Sequence, residues 1–170
     1  TVVFDLDGTL LDTLEDLKNS VNYAMTQCGY PEHTLDEVRR YVGNGILLLM
    51  QRAIPEGKND PNFDKAFTLF KEHYGKHCND TTKPYAGIME LLHTLKENNI
   101  KIAIVSNKAD FAVKELNAIY FKDLILVAIG EKESEGIRKK PAPDTVIEAL
   151  KQLGSTAENS VYIGDSDVDI

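Results

Sequence analysis

The chain has 170 residues, 42% hydrophobic and 27% charged, enough for one domain or a domain with a modest insertion and too apolar for intrinsic disorder. Its 27 acidic residues outnumber its 19 basic ones, for a net charge of −8, which argues against nucleic acid, whose phosphates are held by Lys and Arg. No apolar run approaches the roughly 18 residues of a membrane span, and the first one stops at Asp5, too early for a secretory signal. A cytoplasmic protein without a membrane partner is expected. Cys28 and Cys78, far apart and outside any CxxC spacing, read as reduced thiols.

Thr1-Val2-Val3-Phe4 is mostly β-branched or aromatic and reads as a buried strand. It runs straight into Asp5, Asp7, Gly8 and Thr9. Carboxylates at the end of a buried strand are costly unless something uses the charge. After Leu11 the period changes: Asp12-Thr13 can cap a helix carrying Leu14, Leu17, Val21, Ala24 and Met25 up to Gly29-Tyr30-Pro31. A second helix opens near Thr34 with Leu35, Val38 and Tyr41. Gly43-Asn44-Gly45 interrupts it, and another helix runs from Ile46 toward Pro55. A polar loop over 56–61 precedes a helix from Asn62 or Asp64 to about Cys78. Residues 12–82 thus read as an all-helical block.

From Lys83 the rhythm alternates. Ile88 to Leu95 is an amphipathic helix closed by Asn98-Asn99, and Ile100 to Val105 is a strand followed by a turn at Ser106-Asn107-Lys108. A helix over 109–119, a strand over Leu124 to Ile129 and a charged loop from Gly130 to Lys140 come next. Pro143 stands at the first position of a helix that ends at Gly154. Ser160 to Ile163 is a fourth strand, leading into Gly164-Asp165-Ser166-Asp167-Val168-Asp169. Alternating strands and helices predict an α/β fold with a doubly wound parallel sheet and right-handed crossovers. The first strand joins that sheet, because only there are both its faces covered. The domain reading is a core over 1–11 and 83–170 with a helical insertion over 12–82. Because the chain stops one residue after Asp169, with no helix to follow, a truncated C-terminus is expected.

In a parallel sheet the strand ends meet on one rim, where ligands bind. Asp5 and Asp7, then Ser106 and Asn107, then Asp165 and Asp169 all fall there. So many carboxylates at short range cannot all stay ionised without a cation. Taken singly, each signal has a plain structural reading: an acidic turn, a strand-ending turn at Ser106-Asn107, an uninformative Lys140-Pro141. Asp165 to Asp169 could suggest a calcium loop, but the glycine and glutamate of an EF-hand are missing.

Asp5-Leu6-Asp7-Gly8-Thr9 matches DxDGT, the opening motif of the haloacid dehalogenase (HAD) superfamily, in every position, and the other motifs follow in that family's order. The chain resembles this superfamily over nearly its whole length. The resemblance implies a Rossmann-like core, a small helical cap over the site, and a Mg²⁺-dependent phosphatase acting on a small phosphate ester. It implies Asp5 as the nucleophile and Asp7 as general acid and base. Thr9, Ser106 and Asn107 would serve the phosphate, and Lys140 would neutralise its oxygens. Asp5, Asp7 (through its carbonyl), Asp165 and Asp169 would hold the metal. Within the cap, VGNG at 42–45 resembles the phosphoglycolate phosphatase branch, so Gly43, Asn44 and Gly45 are candidate substrate contacts and 2-phosphoglycolate the expected substrate. A β-phosphoglucomutase-like phosphomutase is the alternative in the same fold. Phosphonate cleavage would need a Schiff-base lysine, for which Lys18 and Lys58 are poor candidates. A signalling receiver domain would carry its aspartate on a later strand, and a catalytically dead binding module would not keep every motif residue. His73 and His77 share a helix face but lack a third ligand, and read as solvated surface histidines.

Overall fold

The structure, a computed structural model, describes residues 1–132 and 135–169. Its four-stranded sheet has the order β5-β4-β1-β6, from β1 (Val2–Phe4), β4 (Ile102–Ala109), β5 (Val127–Glu131) and β6 (Val161–Ile163). All three pairings are parallel, with Val2 opposite both Ile102 and Val161. The α/β class predicted from the alternating rhythm is the class found.

Alternation along β1 explains why the strand is buried on two sides. Phe4 packs with Ile102, Ile104, Leu92, Val113, Leu116 and Phe121, under α5 (Ile88–Glu97) and α6 (Asp110–Tyr120). Val3 points to the opposite face, into Val105, Val127, Ile129, Ala149 and Leu150, under α7 (Asp144–Gln152). Each such side chain contributes about 1.5–3 kcal/mol of burial. A strand sealed on both faces has its C-terminal end as the outlet for polar residues, and Asp5 follows there.

Several boundaries move. The strand expected over 124–129 begins at Val127, because the backbone N–H groups of Leu124 and Ile125 both donate to the Phe121 carbonyl and curl 121–125 into a turn. Ser106, Asn107 and Lys108 continue β4 rather than ending it, with a register irregularity between Val105 and Ala109. Pro143 caps α7 one residue outside its start. The charged run is not wholly a loop: Glu131 ends β5 and Lys132 bridges to Ile137, while Glu133 and Ser134 lie outside the described residues.

The chain divides into two compact units, Thr1–Asp12 with Pro84–Ile170, and Thr13–Lys83. The second unit is helical: α1 (Leu14–Gln27), α2 (Leu35–Tyr41), α3 (Ile46–Ala53) and α4 (Phe63–His77), with a 3-10 turn at Gly57–Asn59. Leu17, Val21, Ala24 and Met25 recur on one face of α1 and pack with Phe63, Ala66, Phe70 and Tyr74. Thr34 heads α2 with a capping box closed by Glu37, as its place before Leu35 suggests. Two short strands escaped the sequence reading: β2 (Leu11–Asp12) and β3 (Lys83–Pro84) pair where the chain enters and leaves the helical unit. Cys28 and Cys78 are reduced thiols, in no disulfide.

His73 departs from the solvated-surface expectation. It is half-buried, stacked at 4.3 Å between the rings of Tyr23 and His77, and 3.0 Å from Ser20 Oγ. Burial, then the neighbouring His77, pulls its pKa down.

Asp16 ties the unit's first helix to its last residues. Its carboxylate, 1% exposed, accepts four hydrogen-bond donors: the N–H and hydroxyl of Thr81 and the N–H and hydroxyl of Thr82. Burial by itself would raise this pKa, but the donors outweigh it and hold the carboxyl below its usual range. Asp16→Ala strands those donors and is expected to cost about 3–5 kcal/mol of stability, measured by urea denaturation at pH 7. Because the folded pKa is depressed, this contribution is fully present above the ordinary carboxylate range and lost as the pH falls through the folded value. The gap between variant and parent is therefore expected to narrow once the pH falls below the ordinary carboxylate range; a gap that stays constant there would rule out the ionised carboxylate as its source.

Candidate active site

The polar residues that follow β1 and β6, and those late in β4, belong to the first unit. Asp5, Asp165 and Asp169 each bring a carboxylate oxygen within 4.8 Å of the others. Lys140 enters from the loop before α7 with its side chain 4% exposed, and its Nζ lies 3.1 Å from Asp5 Oδ1, 2.6 Å from Asp169 Oδ1 and 2.8 Å from the Tyr162 hydroxyl. An ammonium has three protons, and each of them finds a partner here.

Asp5 is nearly buried, at 6% exposure, and accepts a hydrogen bond from the Leu6 N–H at 2.7 Å. Burial is the largest influence on its acidity and lifts its pKa to about 6, against the pull of Lys140 and with help from Asp7 and Asp169. Asp169 goes the other way. Burial would raise it, but hydrogen bonds from Lys140 and from the N–H and hydroxyl of Ser166 hold it below the usual carboxylate range. The Tyr162 hydroxyl is pushed up by burial first and by the Asp5 and Asp169 charges next, so it stays protonated.

The remaining predicted residues take distinct places. Asp7 is paired with Lys108, whose Nζ lies 3.0 Å from Oδ1 and 3.3 Å from Oδ2; its carboxylate is not among the three clustered oxygens. The Thr9 hydroxyl donates to Asp165 Oδ1 at 2.9 Å, so in this structure it orients a carboxylate of the cluster. The Asn107 carboxamide donates to the Lys140 carbonyl and accepts from the Lys140 N–H, fastening the lysine loop to β4. Ser106 is 4% exposed beside them. Gly43, Asn44 and Gly45 lie in the helical unit, where Gly43 has φ 107° and Gly45, capping α3, has φ 86°. Positive φ at both positions explains the glycines locally.

Three carboxylates around a common space suit a hard divalent cation, which takes oxygen ligands and offsets their repulsion. Residues 2–170 match the family described as haloacid dehalogenase-like hydrolase. The chain belongs to that family. A phosphoglycolate phosphatase of Aquifex aeolicus is 33% identical over 173 residues, covering 99% of this chain and 77% of the relative. A phosphoglycolate phosphatase of Pseudomonas putida is 30% identical over 175 residues, covering 99% of this chain and 63% of the relative. The crystal structure of a protein provisionally named phosphoglycolate phosphatase, from Lactobacillus delbrueckii subsp. bulgaricus, superimposes with a TM-score of 0.93 at 35% identity, covering 99% of this chain and 79% of that one. This HAD enzyme thus spans from 63% to 79% of the length of these relatives, all of which carry phosphatase names. It is a phosphatase of the family. Among its described residues no helix is long and apolar enough to cross a membrane.

Two site residues of the HAD enzyme were not singled out from its sequence. Lys108 had a signal, two residues beyond Ser106 on the same strand. Tyr162 had none, because an aromatic inside a strand reads as core.

Glycines set how closely the motif loops approach. Gly8 has φ +83°, and a Cβ there would lie 2.2 Å from Asp165 Oδ2. At Gly164 a Cβ would lie 2.2 Å from the Asp169 carboxyl carbon. Asp165 is exposed and can swing away, so Gly8→Ala is expected to cost only about 1–2 kcal/mol of stability, mainly from the backbone conformation. Its larger effect falls on the cluster, since Asp165 must leave its place. Calorimetric titration is expected to show cation affinity reduced about tenfold or more, as for disturbed ligand support. Unchanged affinity would separate Asp165 from the cation site.

Proposed function

We propose that this protein is a Mg²⁺-dependent phosphomonoester hydrolase that works through an aspartyl-phosphate on Asp5, with 2-phosphoglycolate as its substrate. The observation that carries the reading is the buried Asp5 carboxylate, flanked by Lys140 and clustered with Asp165 and Asp169. Asp5, Asp165 and Asp169 would hold the cation, with the Asp7 carbonyl as the further ligand implied by the family resemblance. Bound there, the cation supplies positive charge for an anionic nucleophile to approach an anionic ester.

An Asp5 carboxylate oxygen attacks phosphorus, forming a P–O bond as the bond to the leaving oxygen breaks. Asp7, two residues on, gives its carboxyl proton to the leaving oxygen. It then takes a proton from the water that attacks the aspartyl-phosphate, releasing inorganic phosphate. Ser106 donates its hydroxyl to the phosphoryl group, and Lys140 neutralises its oxygens while holding Asp5 in place. Thr9 and Asn107 act one step out, on Asp165 and on the Lys140 loop. By the family resemblance the helical unit, inserted in the sequence just after the DxDGT loop, would serve as the cap, with Gly43, Asn44 and Gly45 as its substrate contacts. The names of the relatives favour 2-phosphoglycolate, and the acidic net charge of −8 suits a small ester better than a polyanion.

The test is phosphate release from 2-phosphoglycolate beside a panel of sugar and nucleotide phosphates, with Mg²⁺ or with EDTA. Release that needs Mg²⁺ and favours 2-phosphoglycolate supports the reading. Transfer between sugar hydroxyls without release would identify a phosphomutase instead.

A further inference from the structure

Lys108 lies on β4 two residues beyond Ser106, and its own N–H donates to Ser106 Oγ at 3.3 Å. Its side chain is 3% exposed and that of Asp7 17%. The ammonium bridges both oxygens of Asp7, at 3.0 and 3.3 Å, from the strand paired beside β1. A lysine carried this deep needs an anion, and its geometry on Asp7 fixes the plane of that carboxyl group. Asp7 itself lies just beyond β1, bridged to Leu11.

We propose that Lys108 is a positioning residue for Asp7, holding the general acid where it can protonate the leaving oxygen. The inference rests on the reading of Asp7 given under Proposed function. In the step concerned, the bond from phosphorus to the leaving oxygen breaks with its electron pair going to that oxygen. The Asp7 carboxyl proton moves onto it, and the bond from Asp5 to phosphorus forms. A carboxyl group turned away from the leaving oxygen cannot make that transfer. An error of about 1 Å in such placement costs on the order of 10²-fold in rate.

The dependence on leaving group distinguishes this role from a merely structural one. An alkyl phosphate such as 2-phosphoglycolate needs a proton on its leaving oxygen, whereas p-nitrophenyl phosphate releases a stable phenolate without one. Measured as kcat/KM on the full chain, Lys108→Met is expected to lose about 10- to 100-fold on 2-phosphoglycolate and less than about threefold on p-nitrophenyl phosphate. In an Asp7→Asn background the same change is expected to have no further effect on either ester. The double variant removes both charges together, so it stays informative even if Lys108→Met alone does not fold. Equal losses on the two esters, or a further loss of more than about threefold in the Asp7→Asn background, would overturn the proposal. Failure of the underlying reading looks different: the parent releases phosphate from neither ester, or Asp7→Asn alone loses nothing selective for the alkyl ester.

Discussion

Asp5→Asn is expected to lower phosphate release by about 10⁴-fold or more, because an amide oxygen is a poor nucleophile and no covalent intermediate can form. The same substitution is expected to stabilise the protein in EDTA. Burial lifts Asp5 to a pKa of about 6, so the folded state resists its charged form at neutral pH. A carboxyl raised from its ordinary 3.8 contributes most to stability while protonated, and that contribution is lost as the pH rises through the interval up to about 6. Asparagine has no such loss, and can keep the hydrogen bond from the Leu6 N–H through its own oxygen. At pH 7 and above the gain is expected to be on the order of 2 kcal/mol, vanishing near pH 4, as read from urea unfolding at several pH values. An active Asp5→Asn protein would remove Asp5 as the nucleophile. A folded but inactive variant with no gain in stability would instead show that Lys140 compensates the buried charge fully.

Lys140→Met is expected to damage both activity and folding. Its ammonium serves Asp5, Asp169 and Tyr162 together, all within 3.1 Å. Removing it leaves two carboxylates in a largely buried space without their cation, at a cost of about 3–5 kcal/mol in EDTA. Lys140 pulls the Asp5 pKa down, so without it Asp5 takes up its proton above the parent's value of about 6, and the loss is expected to be largest in alkali and to shrink as the pH falls toward about 6. Phosphate release is expected to fall by about 10²- to 10³-fold with the cation present, as for loss of one preorganised positive group. Turnover close to that of the parent would reduce Lys140 to a structural counter-ion.

The class of the fold and the rim of the site were legible in the chain because they follow from short-range rules. Val2 to Phe4 can only be a strand sealed on two faces, and strands alternating with amphipathic helices produce a parallel sheet whose polar ends share an edge. Asp5, Asp165 and Asp169, whose carboxylates lie together, could therefore be gathered from the order of the strands. The helices at 14–27 and 63–77 were readable from their period, and the start at Thr34 from its cap.

What the chain did not disclose depends on partners far away in sequence. That Thr9 serves Asp165 rests on contact across 156 positions, and no spacing rule reaches so far. That Lys108 belongs to Asp7 rests on the pairing of β1 with β4, which brings residues 101 apart to within 3.0 Å. Asn107 as fastener of the Lys140 loop, Asp16 as anchor of Thr81 and Thr82, and Tyr162 under Lys140 are of the same kind. Composition and periodicity report which face of an element is buried, whereas the direction of a hydrogen bond is set only when two elements meet. For this protein, local patterning determined the sheet and the chemistry gathered at its rim. Tertiary structure decided which charge holds which, because a buried ion pair is selected by distance and desolvation and neither is a property of one segment.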